Sequence, residues 1–529
     1  MRATSMRARP GTWAAVVVTA VAVVSACAPA VASTPDPAVV ATDHGAVGGV
    51  ITGDVRRFDG IPYAQPPIGQ LRWQLPQPVP HWEGVRPAKS PGSSCTQAGD
   101  NGAQSPGSSE DCLYLNVTAP VSADAPLPVV VWLHGGGYSS GSGADYNPAR
   151  MAAAGAVVVT VNSRLGVFGF FGHPDLPDSG TYGLADQQAA MRWVQANAAA
   201  FGGDRSRVLL AGQSSGGISV CGHLASPAAA GLFQRAAIHS GPCKPDWPGE
   251  LFAPGDASSK LWIERTVLQQ RGREAGSSLA TRPNCPDPSS LGCLRDVPAE
   301  DLLALNGPFH SPAYNTPLIP TMPWDAFRAG RNTKVPVLEG TTRDEHTMFT
   351  ELFELGDERA YRQQLTKAFG AARADRVAAE YPITRFGGSA KRAFAAVGGD
   401  FAATCPALEE AKMLGAHTPT YTYQFADPHP PGSQDSPSGA DLGAYHGSEL
   451  LYLFDMGDSF GQLTVAQRQL SSRMINAWIT FAATGKPVFT DGTTDWPRFD
   501  GNHSLRLEPG RSKPADVATE HHCRFWAQR

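Results

Sequence analysis

Short apolar runs bounded by glycine or proline alternate along the chain with longer stretches whose apolar residues recur at helical spacing. Pro128-Val-Val-Val-Trp-Leu133 and Ala156-Val-Val-Val-Thr-Val161 are rich in β-branched residues and too short for helices. Each predicts a parallel strand buried on both faces. Arg207-Val-Leu-Leu-Ala211 and Val335-Pro-Val-Leu-Glu339 also read as strands, and glycines 53 and 60 bracket another strand-like run. Asp186 to Asn197 and Gly217 to Ala225 read as helices. Strand and helix alternate up to about residue 225, which predicts an α/β fold built on a doubly wound sheet. The region from about 245 to 330 lacks strand signals and reads as a helical insertion. Residues 96–109 and 427–440 are polar loops rich in glycine, serine or proline. There is no internal repeat, heptad pattern or second hydrophobic span. One domain over 45–529 is expected, preceded by a linker at 33–44.

The first 32 residues have a different character. Arg2, Arg7 and Arg9 precede the apolar run from Trp13 to Val24, whose length suits a signal peptide better than a membrane span. Ala30-Val31-Ala32 offers a site for release. Val24-Ser25-Ala26-Cys27 is similar to a bacterial lipobox, in which Cys27 would be lipidated and become the new N-terminus. Either way an exported protein is expected, secreted or lipid-anchored.

Charge and cysteine content sharpen that picture. The net charge is −5, with 43 Lys+Arg against 48 Asp+Glu, and cleavage would remove three arginines and no acid. No basic stripe is present, so nucleic acid is not an expected partner. Nine cysteines make an odd number. Setting Cys27 aside leaves Cys95, Cys112, Cys221, Cys243, Cys285, Cys293, Cys405 and Cys523, an even set suited to an oxidising compartment.

The candidate chemistry sits at Ala211-Gly-Gln-Ser-Ser-Gly-Gly217. Ser214 has glycine two positions away on either side, giving G-x-S-x-G, whereas Ser215 does not fit. A strand that turns sharply into a helix leaves no room for side chains at those offsets, and holds the central hydroxyl clear of the backbone. A serine hydroxyl needs oxyanion donors, a base and an acid that orients the base. His134-Gly-Gly-Gly-Tyr138 follows directly on a predicted strand. The N–H groups of Gly136, Gly137 and Ser215 are candidate oxyanion donors. Among the 14 histidines, His417, His429, His446 and His503 follow the serine in a suitable order. His446 stands out in the loop Ala444-Tyr-His-Gly-Ser-Glu-Leu450. Asp344 and Glu345 both lie just past a predicted strand, and spacing does not choose between them.

Longer motifs add a resemblance. Phe58-Asp-Gly-Ile-Pro-Tyr-Ala-Gln-Pro-Pro-Ile-Gly-Gln-Leu-Arg-Trp73 and Ser109-Glu-Asp-Cys-Leu-Tyr-Leu-Asn116 resemble the two N-terminal signatures of the type-B carboxylesterases. That group includes para-nitrobenzyl esterases, fungal lipases and cholinesterases. The resemblance covers essentially the whole chain after the leader, and implies an α/β-hydrolase fold: a large, mostly parallel sheet with helices on both faces. It implies Ser214 as nucleophile, Glu345 as acid and His446 as base, with Gly136, Gly137 and Ser215 as oxyanion donors. Asp344 becomes a structural neighbour. It also implies the bridges Cys95–Cys112, Cys285–Cys293 and Cys405–Cys523, leaving Cys221–Cys243 as the remaining pair. Three features depart from the family pattern. Gln213 stands where a glutamate is usual, which removes a negative charge near the site. His346 follows Glu345 where glycine is usual, read here as a local backbone variation. The loop between Cys95 and Cys112 has no tryptophan, so a choline ester is a poor substrate candidate.

The expected activity is hydrolysis of small to medium carboxyl esters through an acyl-enzyme, falling off below roughly pH 6–7 as His446 protonates. The alternatives are a lipase acting on longer acyl chains, or a non-catalytic adhesion protein of the same fold. No metal-ligand spacing, phosphate loop or dinucleotide fingerprint is present, so no cofactor or metal is expected. Asn116-Val-Thr and Asn502-His-Ser fit glycosylation sequons, a short pattern that arises often by chance.

Overall fold

The computed structural model describes residues 1–17, 36–99, 102–244, 246–278, 287, 290–436, 439–457, 459–490, 492 and 494–528. The chain divides into a unit of Met1–Asp36 and a unit of Pro37–Arg529. In the first, residues 1–17 carry no helix or strand. Cys27 and Ala30–Ala32 lie outside the described residues. Among the described residues no helix is long and apolar enough to cross a membrane.

An 11-stranded sheet organises the second unit. Its strands in chain order are β1 (Val50–Thr52), β2 (Val55–Pro62), β3 (Tyr114–Pro120), β4 (Leu127–Leu133), β5 (Val157–Val161) and β6 (Gly203–Gln213). They continue with β7 (Arg235–His239), β8 (Val337–Thr342), β9 (Thr420–Phe425), β10 (His503–Leu507) and β11 (Lys513–Asp516). The spatial order is β11-β10-β9-β8-β7-β6-β4-β5-β3-β2-β1. Every pair from β10 across to β5 is parallel, and antiparallel pairs flank them at both ends.

The central strands β4 and β5 are almost wholly apolar because both their faces are covered. Successive side chains of a strand point to opposite faces. Val129, Val131 and Leu133 of β4 therefore enter one core, and Val130 and Trp132 enter the other. Helix α1 (Tyr182–Asn197) and helix α2 (Ser215–Ala225) cover the first with Leu184, Met191, Val194, Val220 and Leu224. Helix α3 (Cys405–Gly415) adds Leu414 to that core. Helix α4 (Val465–Thr484) covers the second with Leu470, Met474, Trp478 and Phe481. Its limits are written locally: Thr464 and Gln467 form a capping box, and Gly485 closes the end at φ 77°.

Some boundaries differ from those the sequence predicts. Val39–Thr42, expected in the linker, is a strand paired antiparallel with Gly45–Gly48. The strand expected over 335–339 starts at Val337 and runs to Thr342. Pro336 has no N–H for the ladder, so pairing begins after it. The insertion holds the helices Arg265–Ser278, Leu291–Arg295, Ala299–Leu303 and Pro323–Arg328. It also holds two-residue strands, among them Ile263–Glu264 paired with Ala313–Tyr314.

Between described residues the bridges Cys95–Cys112, Cys221–Cys243 and Cys405–Cys523 are present. Cys285 lies outside the described residues, and the expected Cys285–Cys293 pairing with it. The Asn116 side chain is engaged within the sheet, accepting from the Gly60 N–H at 3.0 Å and donating to Thr160 at 3.1 Å. Its amide nitrogen is thus occupied, which argues against reading Asn116 as a glycosylation site.

Candidate active site

The C-terminal ends of β4, β6 and β8 converge on one locus. Ser214 occupies the junction between β6 and α2, at φ 55° and ψ −124°. A non-glycine residue in that region costs about 1–3 kcal/mol, and such strain is kept only where surrounding packing enforces it. Here close approach enforces it. A Cβ on Gly216 would lie 2.1 Å from the Leu133 carbonyl oxygen, and one on Gly212 would lie 2.5 Å from the Gly216 backbone. The Ser214 N–H is tied to the β7 residue His239 through its carbonyl at 2.9 Å.

The glycine loop after β4 lies against this turn. Gly136 and Gly137 have φ of 107° and 61° and are exposed. Among the described residues nothing accepts a hydrogen bond from their N–H groups or from that of Ser215. The loop is braced from outside. Gln97, in the segment between Cys95 and Cys112, accepts from the Gly141 N–H at 2.9 Å, and the Tyr146 hydroxyl accepts from the Gly135 N–H at 3.4 Å.

Glu345 follows β8 and is buried, with Oε1 accepting the Thr342 N–H at 2.8 Å. Its Oε2 lies 2.6 Å from Nδ1 of His446, whose side chain is 18% exposed. Of the two acids that spacing left open, Glu345 is the one that meets His446. Asp344 points the other way, bonding Arg343 and accepting the Ala444 N–H at 2.8 Å, so it anchors the histidine loop. His417, His429 and His503 do not join the site: His417 is exposed, His429 faces Asp441 at 3.5 Å, and His503 pairs with Asp500 at 2.7 Å. Among the described residues no hydrogen bond joins the Ser214 hydroxyl to His446. Nε2 of His446 instead meets Nε2 of Gln213 at 3.1 Å.

Electrostatically, burial alone would lower the pKa of His446. The charge and hydrogen bond of Glu345, with Glu449 behind, outweigh it and leave the pKa above the ordinary histidine value.

Known proteins place this architecture. The carboxylesterase family pattern matches residues 36–526. The para-nitrobenzyl esterase of Bacillus subtilis (strain 168) is 34% identical over 474 residues, spanning 87% of this chain and 92% of that protein. The chain belongs to the carboxylesterase family. The fumonisin B1 esterase of Sphingopyxis macrogoltabida is 34% identical over 486 residues, spanning 87% and 84% of the two chains. A solved para-nitrobenzyl esterase structure superposes with a TM-score of 0.74 at 32% identity, covering 93% of this chain and 100% of the other. This carboxylesterase is accordingly an ester hydrolase with the α/β-hydrolase fold.

Several neighbours of the site escape sequence reasoning. His346, expected as a backbone variation, is a packed interior side chain. Its ring contacts Phe252, Phe349 and Phe394, and its Nε2 bonds the Leu251 carbonyl at 2.8 Å, tying the insertion to the loop that carries Glu345. Phe349 in turn lies 5.6 Å from the His446 ring. Glu449 is wholly buried, and its carboxyl is pushed up to about 8 by burial and by the charge of Glu345. The signal for Glu449 was available, in the His-Gly-Ser-Glu run itself. Among the described residues, Cys221, Cys243 and Glu410 bring potential metal ligands within 4.8 Å of one another, but the two sulfurs are bonded to each other.

Proposed function

We propose that this carboxylesterase hydrolyses small to medium, uncharged carboxyl esters by a Ser214–His446–Glu345 triad and an acyl-enzyme. Ser214 Oγ attacks the ester carbonyl as its proton passes to His446 Nε2. The resulting oxyanion is held by the N–H groups of Gly136, Gly137 and Ser215. Collapse expels the alcohol, protonated by His446, and water repeats the sequence to release the acid. Glu345 orients the imidazole and balances its charge. One observation carries the reading: the 2.6 Å contact of Glu345 with His446, beside a serine on a strained turn one residue from the contact to Nε2.

The aromatic wall of Phe349 and Phe252 beside His446 supports an apolar acyl or alcohol group. Met348 and Leu352, exposed at 40% and 60% just beyond Glu345, extend that apolar character and keep longer chains in view. The leader points to export, with release after Ala32 or lipid anchoring through Cys27.

The paired serines give the test. Ser214→Ala should abolish hydrolysis of p-nitrophenyl acetate and labelling by an organophosphonate, while Ser215→Ala, which keeps its amide, should retain most of both. A phosphonate adduct mapped to Ser215, or no adduct at all on an active protein, would refute the assignment. A series of p-nitrophenyl esters of increasing chain length would separate the esterase from the lipase reading.

A further inference from the structure

A carboxylate can only accept, so the 2.6 Å contact between Glu345 Oε2 and His446 Nδ1 puts the ring proton on Nδ1. Nε2 of the neutral ring is then a lone pair, and its partner at 3.1 Å, the side-chain nitrogen of Gln213, must be the donor. That lone pair is the one which, in the reaction read above, takes the proton of Ser214. We propose that Gln213 is a positioning residue that caps His446 Nε2 with its amide N–H and holds the imidazole neutral in the resting enzyme. The inference rests on His446 being the base.

The site is built to keep the amide in this pose. Gln213 is 5% exposed. Two glycines leave it room. A Cβ on Gly135 would lie 2.7 Å from Gln213 Oε1, and one on Gly447 would lie 3.5 Å from its Nε2. The amide thus lies between the glycine loop and the histidine loop, with its nitrogen toward the ring.

The other groups facing His446 explain why such a cap matters. Glu345, from the loop after β8, draws a proton onto the ring, and Glu449, from the histidine's own loop, adds to this only as its carboxyl, pushed up to about 8, ionises. His346 also faces it but carries no charge near neutral pH, since burial pushes it down to about 4. Gln213 differs from all three, because an N–H donor to Nε2 binds only the unprotonated ring and so favours it. A glutamate at this position would do the opposite: it cannot donate, and it would add a further negative charge beside the imidazole. During the reaction the Ser214 O–H bond breaks and an Nε2–H bond forms, so the amide must release the lone pair first.

The experiment compares pH profiles of kcat/KM for p-nitrophenyl acetate in the wild type, Gln213→Glu and Gln213→Met. The His446 titration is read in parallel by 15N NMR, which needs no turnover. For Gln213→Glu the acidic limb is expected to move up by about one pH unit, so that the rate one unit below the wild-type limb falls about tenfold further. For Gln213→Met, which keeps the shape and loses the donor, a smaller upward shift is expected in both measurements. A limb and NMR titration that stay fixed in both variants, or move down in either, would overturn the proposal. A role in packing alone predicts such fixed titrations. Failure of the underlying assignment looks different: the wild type itself would show no phosphonate label on Ser214.

Discussion

Replacing Glu345 by Gln isolates the electrostatic share of the site. Glu345 is 3% exposed and meets His446 at 2.6 Å, so the charge it sets against the imidazolium is barely screened by solvent. With charge centres about 4 Å apart and an effective dielectric of about 20, Coulomb's law gives roughly 4 kcal/mol. In the mechanism proposed above, this term acts where the imidazolium exists, in the steps that form and collapse the tetrahedral intermediate. At about 1.4 kcal/mol per decade, roughly 10³-fold in kcat is at stake. The variant should fold, because the glutamine Oε1 can still accept the Thr342 N–H that the carboxylate accepts at 2.8 Å. A second effect has the same sign. The new amide NH2 donates to Nδ1, pushes the ring proton to Nε2, and leaves no lone pair there for Ser214. The assay is kcat for p-nitrophenyl acetate on the alkaline plateau, with Glu345→Asp as a variant that keeps the charge. Because Glu345 holds the His446 pKa up, its loss should also move the acidic limb to lower pH. Should Glu345→Gln keep more than a tenth of wild-type kcat, with its limb in place, the reasoning fails.

Two further predictions concern the frame of the site. Burial pushes the Glu410 carboxyl, beside Glu339 under the Cys221–Cys243 bridge, up to about 8, against the lowering effect of the Cys243 N–H. The folded chain then binds more protons than the unfolded one between the ordinary carboxyl value of 4.5 and about 8. Its contribution is full below that window and is lost as pH rises through it, so Glu410→Gln should flatten the fall of the unfolding free energy, read from urea titrations, by up to about 1.4 kcal/mol per pH unit. An unchanged slope would show that Glu410 ionises as readily folded as unfolded. Gly135→Ala would place a Cβ 2.7 Å from Gln213 Oε1 and 3.2 Å from Ser214 Cβ. Overpacking of this kind costs about 1–3 kcal/mol. Thermal melts should show that loss together with a kcat reduced by at least tenfold, and wild-type values for both would contradict the packing.

Legibility in the sequence tracked the range of each interaction. The buried strands at 128–133 and 156–161 were readable because a doubly covered strand is apolar at nearly every position, and each falls within one residue of the element found. The serine turn was readable because its glycines are fixed by steric contacts within five residues and with the adjoining strand. Boundaries were less clear where pairing, rather than composition, sets them. Val39–Thr42 looks like linker, and is a strand because Gly45–Gly48 offers it a partner. His346 looked like a substitution on a loop, and two of the three rings that cage it, Phe252 and Phe394, come from about 50 to 100 positions away.

By itself, then, the chain specified an α/β sheet, a serine poised on a strand-to-helix turn and a short list of acids and bases downstream, since each is encoded by patterns only a few residues long. Spacing alone left Glu345 level with Asp344 and His446 level with three other histidines; the resemblance named the pair, and only the tertiary structure decided that the two meet and that Gln213 lies against the ring. Those decisions depend on which side chains parallel strands bring together across 101 and 233 positions of sequence, and local spacing carries no record of that.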